Sequence, residues 1–266
     1  MKALKFTIVF LLLSQLTNAQ FEDRFYYPKK DWKELKTPYT EDYISVEKDT
    51  LHTVFFQPKG SAKATILFFH GAGGNISTYM FMIKPLVKNG FQVYAVDFRG
   101  YGKSTGKSTH LNIATDSEII YSKMKGNKNI KNKKLFVYGA SLGCQIATYI
   151  TNKHQNEIDG LILDGGFSSF ADIAKLNAPE QAHPFIDGAL KNVYPSKEEI
   201  KKIKGVPKLI IHSKLDKAIP INHSETVFKN ALEPKQFFTS TKGHLEALLY
   251  ETDAVLLKIN SLFTLQ

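Results

Sequence analysis

The stretch Gly139-Ala140-Ser141-Leu142-Gly143 constrains this chain more than any other. It follows the apolar run Lys-Leu-Phe-Val-Tyr at 134–138 and leads into Cys144-Gln145-Ile146-Ala147, which has helical character. G-x-S-x-G between a strand and a helix is a sharp turn. Small residues two before and two after the serine let strand and helix pass closely, and the serine takes a strained backbone. Its hydroxyl then stands clear of the sheet edge at a helix N-terminus. A glycine-rich turn with an incidental serine would carry the same five letters, so the weight of the reading rests on what else the chain supplies.

It supplies a run of buried strands. Residues 43–48 and 51–56 alternate apolar and polar side chains around a turn at 48–50, as an antiparallel edge pair does. Residues 64–69, 92–96, 134–138, 160–163 and 208–212 are instead continuous apolar runs, the pattern of strands covered on both faces. Helical stretches fall at 76–88, 113–124, 142–151 and 221–231, a last strand at 235–240, and a terminal helix over 244–263. Such alternation predicts an α/β fold with a mostly parallel central sheet, helices on both faces and leading antiparallel strands. Residues 167–204 break the rhythm with short helical pieces, Pro179, Pro184 and Pro195, and a charged helix at 197–204. We read residues 20–266 as one domain with an insert at about 167–204, and residues 21–40 as a lead-in across its surface.

The first 19 residues read differently. Lys2 and Lys5 precede an apolar core at 6–13, and Thr17-Asn18-Ala19 ends in small or polar residues. This is the three-part pattern of a secretory signal with cleavage after Ala19, which predicts export. No run of about 20 apolar residues offers a transmembrane helix. The single cysteine, Cys144, makes no internal disulfide and reads as a small packing residue. The net charge of +10 is lysine-dominated and dispersed, and nucleic-acid motifs are absent. The sequence carries no mark of an oligomeric state.

A serine needs a base to take its proton, most often a histidine that is itself oriented by a carboxylate. Of eight histidines, His244 alone follows the last strand on a loop, in Thr241-Lys242-Gly243-His244. The carboxylate is expected between serine and histidine in chain order. Asp216, just past the strand at 208–212, fills that place; Asp164, one strand earlier, is its rival and reads better as a turn residue before Gly165-Gly166. Charge developing on a substrate oxygen requires backbone donors: the N–H of Leu142, directly after the serine, and that of Ala72 in His70-Gly71-Ala72, after the first buried strand. The glycines at 71, 73 and 74 lack the lysine and spacing of a P-loop and a full G-x-G-x-x-G. No metal-ligand spacing occurs, so neither metal nor cofactor is expected.

In these motifs the chain resembles the α/β-hydrolase superfamily, and within it the small, short-lidded serine-aminopeptidase-like branch and nearby alpha/beta-hydrolase-domain proteins. The resemblance rests on residues 69–75, 97–104, 139–143, 212–216 and 243–244 and extends from about Tyr43 to the C-terminus. It implies Ser141 as nucleophile, Asp216 as acid, His244 as base, a structural loop at 97–104 and a lid at 167–204. Ser213 departs from the family, whose members often carry glycine there. The expected activity is hydrolysis of a small or medium acyl ester through an acyl-enzyme, with a small-molecule acyl substrate. A peptidase on short peptides and a non-catalytic binding protein on the same scaffold are the alternatives. Phe167, Phe170, Met80, Phe81 and Phe185 are candidate walls of an acyl pocket.

Overall fold

The structure is a computed structural model that describes residues 22–130, 133–191 and 193–265. The leader expected over residues 1–19 lies outside the described residues. In chain order the strands are β1 (Tyr27–Pro28), β2 (Tyr39–Val46), β3 (Asp49–Phe56), β4 (Thr65–Phe69), β5 (Gly73–Gly74), β6 (Gln92–Val96), β7 (Leu135–Ala140), β8 (Gly160–Asp164), β9 (Lys208–Ser213) and β10 (Lys235–Ser240). The helices are α1 (Met80–Lys88), α2 (His110–Lys125), α3 (Gly143–Lys153), α4 (Phe170–Lys175), α5 (His183–Leu190), α6 (Ser196–Glu199), α7 (Asn222–Asn230), α8 (Ala247–Tyr250) and α9 (Thr252–Ser261).

The continuous apolar runs become the inner strands of an eight-stranded sheet ordered β10-β9-β8-β7-β4-β6-β3-β2. Strands β4 and β6 to β10 run parallel to one another, whereas β2 pairs antiparallel with β3 and β3 with β6. This is the expected α/β-hydrolase architecture. Because side chains alternate across a strand, Ile66 and Phe68 of β4 join the apolar layer under α1 and α9, with Ile83, Leu86 and Ile259. Leu67 and Phe69 join the opposite layer, with Ile146 and Ile150 of α3. The chain leaves β4 for β6 on one side and later returns to lay β7 on the other. The crevice beyond the carboxyl ends of β4 and β7 is therefore the place where an open α/β sheet binds ligands. No helix among the described residues is long and apolar enough to cross a membrane.

Several elements depart from expectation for local reasons. Helix α2 starts at His110 rather than 113, because Thr109 and Asn112 form a reciprocal capping box. The terminal helix expected over 244–263 is broken into α8 and α9 at Glu251, which adopts φ −122° and ψ 33°. Its carboxylate accepts hydrogen bonds from Ser240 Oγ at 2.5 Å and Thr241 Oγ1 at 3.0 Å, tying the break to the end of β10. The helix expected at 197–204 is the short α6 followed by a 3-10 turn over Ile200–Lys202. The lead-in does more than cross the surface: β1 pairs in parallel with β5.

Candidate active site

Ser141 sits between β7 and α3 with φ 54°, in the left-handed region that non-glycine residues avoid. Its neighbours explain the two glycines. A Cβ on Gly139 would lie 2.5 Å from the Gly143 carbonyl oxygen and 2.6 Å from Cys144 Cα, and one on Gly143 would run into the Phe69 carbonyl oxygen. Every one of these obstacles is backbone, so strand and helix can cross only without side chains there. The Ser141 N–H is held by the Asp164 carbonyl at 2.8 Å. Cys144 is buried beneath the turn, its thiol donating to the Gly139 carbonyl at 3.1 Å, and burial pushes its pKa well up. Its place is that of a packing residue.

The loop after β9 brings Asp216 against His244: His244 Nδ1 lies 2.6 Å from Asp216 Oδ2. Asp216 Oδ1 accepts the N–H groups of Ala218 and Ile219, both at 2.9 Å. His212 Nε2, which donates to the Ile219 carbonyl at 2.9 Å, also lies 3.3 Å from Asp216 Oδ2. Burial alone would raise this carboxyl's pKa; the hydrogen bonds from His212 and His244 outweigh it and hold the group far below the usual carboxylate range. Ser213 has a use of its own: its Oγ accepts the Leu215 N–H at 2.9 Å and donates to the Lys242 carbonyl, joining the loop of Asp216 to that of His244.

Asp164 goes elsewhere. Its Oδ2 accepts the Tyr138 hydroxyl at 2.7 Å, and burial raises its pKa to about 6, the Tyr138 bond opposing the rise. The structure thus pairs His244 with Asp216 and leaves Asp164 to support the serine turn through its carbonyl.

Ser141, Leu142, Ala72 and His244 open onto one cavity of about 940 Å³. Among the described residues, Ser141 Oγ makes no hydrogen bond to His244 in this arrangement; such bonds often form only once substrate is bound. The backbone N–H groups of Ala72 and Leu142 donate to no acceptor among the described residues. A Cβ on Gly71 would lie 3.1 Å from Ser141 Cβ, so the Ala72 loop packs directly on the serine. His70 aims that loop. Burial lowers its pKa, so the ring is neutral; Nδ1 donates to the Gly71 carbonyl at 2.7 Å, and Nε2 faces the Phe98 N–H at 3.4 Å.

Of the candidate wall residues, Phe167 and Phe185 line the cavity. Phe170 is fully buried beside it, edge-on to Phe167 at 5.2 Å, and Met80 and Phe81 border a separate depression beside α8 and α9. The rest of the wall is supplied largely by the segment between β8 and β9, including Ile173, Ala174, Ala178 and Ala182. Among the described residues, the one permanently charged residue lining the cavity is Arg24. Arg24 precedes β1, in a segment without a recognisable motif, and the contact of His212 with Asp216 likewise has no signal in the chain beyond its place at a strand end.

Residues 60–198 match the family described as "Serine aminopeptidase, S33". The chain belongs to this family. Among curated proteins the chain is similar to the Escherichia coli K12 protein named "Uncharacterized protein YfhR", with 30% identity over 192 residues, 71% of this chain and 66% of that relative's length. Human "Alpha/beta hydrolase domain-containing protein 17B" is 25% identical over 201 residues, covering 74% of this chain and 66% of its own. The chain thus spans slightly under two thirds of the length of these relatives. Among solved structures, a Pyrococcus furiosus esterase superposes with a TM-score of 0.71 at 17% identity, covering 90% of this chain and 97% of its own. Est1E of Butyrivibrio proteoclasticus, solved with ferulic acid, gives 0.71 at 18% identity over 84% of this chain and 99% of its own. At such identities the superpositions establish the fold of this α/β-hydrolase.

Proposed function

We propose that this chain is an exported serine hydrolase that cleaves carboxylic esters of small or medium acyl groups through an acyl-enzyme. Ser141 is the nucleophile, His244 the general base and Asp216 the group that holds the imidazole with its Nδ1–H toward the carboxylate. His244 takes the proton of Ser141 as the hydroxyl attacks the ester carbonyl. The tetrahedral oxyanion rests on the N–H groups of Ala72 and Leu142. His244 then protonates the leaving alcohol and activates the water that releases the acid. In this reading residues 20–266 are one hydrolase domain, residues 167–204 are its lid, and residues 1–19 are removed on export, so the mature chain begins at Gln20.

The observation that carries the reading is the convergence of two unpaired backbone donors, Ser141 and the His244–Asp216 pair on one apolar cavity. Its volume of about 940 Å³ lies at the upper end of small-molecule sites. The esterase name of the Pyrococcus furiosus structural neighbour agrees with it. The family name raises an aminopeptidase as the other reading. A free α-ammonium would need an anion beside it, yet no aspartate or glutamate lines the cavity among the described residues, and its fixed charge is the cation Arg24. That favours the ester.

The test is kcat/KM across 4-nitrophenyl esters from acetate to palmitate, with aminoacyl 4-nitroanilides alongside. The reading expects a maximum between butyrate and octanoate, negligible anilide turnover, and a loss on the order of 10⁴–10⁶ in Ser141→Ala. A preference for anilides would reverse it.

A further inference from the structure

The serine–histidine–aspartate geometry leaves one part of the site unexplained: what holds the Ala72 amide in place. Ala72 sits on a loop with glycine on both sides, at 71 and at 73–74. Such a loop is free to turn its peptides unless something fixes them. An oxyanion donor is valuable only when already aimed, because reorganisation during the reaction forfeits the gain.

Two successive peptides of this loop are pinned. The first joins Gly71 to Ala72 and carries the Ala72 N–H. His70 Nδ1 holds its carbonyl at 2.7 Å, and in a planar trans peptide that points the N–H the opposite way. The second joins Ala72 to Gly73, and its carbonyl is held by two donors. The Tyr101 hydroxyl donates to it at 2.6 Å, and the Tyr27 N–H at 2.8 Å. The Tyr27 N–H also lies 3.0 Å from the Tyr101 oxygen, so the three groups close a triangle. Tyr101 is fully buried, its ring 4.8 Å from that of His70.

Tyr27 belongs to a strap that precedes the matched family region of residues 60–198. The strap is stitched down along its length. Asn75 Nδ2 donates to the carbonyls of Lys29 and Asp31, both at 2.9 Å. The Gly102 N–H donates to the Lys29 carbonyl at 3.0 Å, and the Lys33 N–H to Ser77 Oγ at 3.0 Å. It therefore ties the Ala72 loop to the loop that carries Tyr101, and both to a segment that the matched region does not include.

We propose that Tyr101, through its hydroxyl, and the strap, through the Tyr27 N–H, join His70 as positioning groups of the Ala72 oxyanion donor. Neither touches substrate through these groups; both act through the Ala72 carbonyl. The inference rests on the ester-hydrolase reading above and assigns the strap a part in turnover rather than in packing alone.

The experiment compares wild type and Tyr101→Phe for kcat and KM on a 4-nitrophenyl ester, and for inhibition by a trifluoromethyl ketone of the same chain length, which adds Ser141 and places an oxyanion in the same hole. The expected result is a ten- to hundredfold fall in kcat, a matching loss of ketone affinity and a KM within about twofold. Unchanged kcat and ketone affinity with a lowered Tm would overturn the proposal, since that is the outcome of a packing role. So would a rise in KM alone. Should Tyr101→Phe not fold, the exposed residue Tyr27 supplies the second arm. Tyr27→Pro and Tyr27→Ala lose the same side chain, and only the proline loses the N–H. Tyr27→Pro is expected at least tenfold below Tyr27→Ala in kcat, and equality would sink the idea. Wild type that neither turns over nor is labelled at Ser141 by a fluorophosphonate removes the ester-hydrolase reading itself and this inference with it, whereas a labelled and active wild type leaves the variants to decide.

Discussion

Asp164 ends β8 and Asp216 lies on the loop after the neighbouring β9, and their surroundings drive the two in opposite directions. Asp216 collects two histidines and two backbone N–H groups and stays ionised; Asp164 collects one tyrosine hydroxyl in full burial and keeps its proton to about pH 6. If Asp216 orients His244, Asp216→Asn lowers kcat by about 10⁴, the cost of the wrong tautomer in a triad, and Asp164→Asn lowers it by less than tenfold. Steady-state kinetics on one ester decides between them, and equal losses would return Asp164 to contention. Asp164 also sets a pH dependence of stability. The folded state holds its proton to about pH 6 and the unfolded chain releases it near 3.8. The native state therefore binds the extra proton between these values, and stability falls as pH rises through the window, by about 2–3 kcal/mol. Asn at 164 can still accept the Tyr138 hydroxyl and has no charge to bury. Urea midpoints of Asp164→Asn relative to wild type should accordingly rise between pH 4 and pH 7 and level off above; a flat difference would refute the assignment.

At the scale of elements, the crossing of β7 and α3 is built on absent side chains. Gly143→Ala places a methyl group against the Phe69 carbonyl of the neighbouring strand, which cannot give way. The expected cost is about 1–3 kcal/mol, read as a lower denaturant midpoint. The segment between β8 and β9 walls the cavity with small residues, so Ala178→Trp should fill it. The octanoate-to-acetate ratio of kcat/KM then falls by about tenfold, within what a crowded apolar pocket can discriminate; an unchanged ratio would place the acyl chain elsewhere. The elements themselves were largely legible. Runs such as 66–69 and 209–211 give strands buried on both faces because nothing polar interrupts them, and Gly139 and Gly143 mark a crossing that only glycine permits. That Ser141, Asp216 and His244 would meet at one sheet edge could be read because each follows a strand of the sheet. The break at Glu251 could not, because its cause is a carboxylate reaching back to Ser240 and Thr241. Nor could the bridge between Tyr27 and Tyr101, which are 74 residues apart and meet only after folding. Of the five wall candidates, periodicity could not separate Phe167 and Phe185, which reach the cavity, from Phe170, Met80 and Phe81, which do not.

For the whole molecule, the sheet serves as a jig. Its order brings the ends of β4, β7, β9 and β10 to one edge, so that residues from 72 to 244 share one cavity. The chain supplies a reactive centre only if this shared edge raises the nucleophilicity of one serine above all others. Intact-mass analysis after brief exposure to a fluorophosphonate, with Ser141→Ala in parallel, measures that directly. The account predicts one adduct per chain, located on Ser141 and absent from the variant. A folded wild-type chain that takes up no reagent, or takes it up equally in Ser141→Ala, would contradict it.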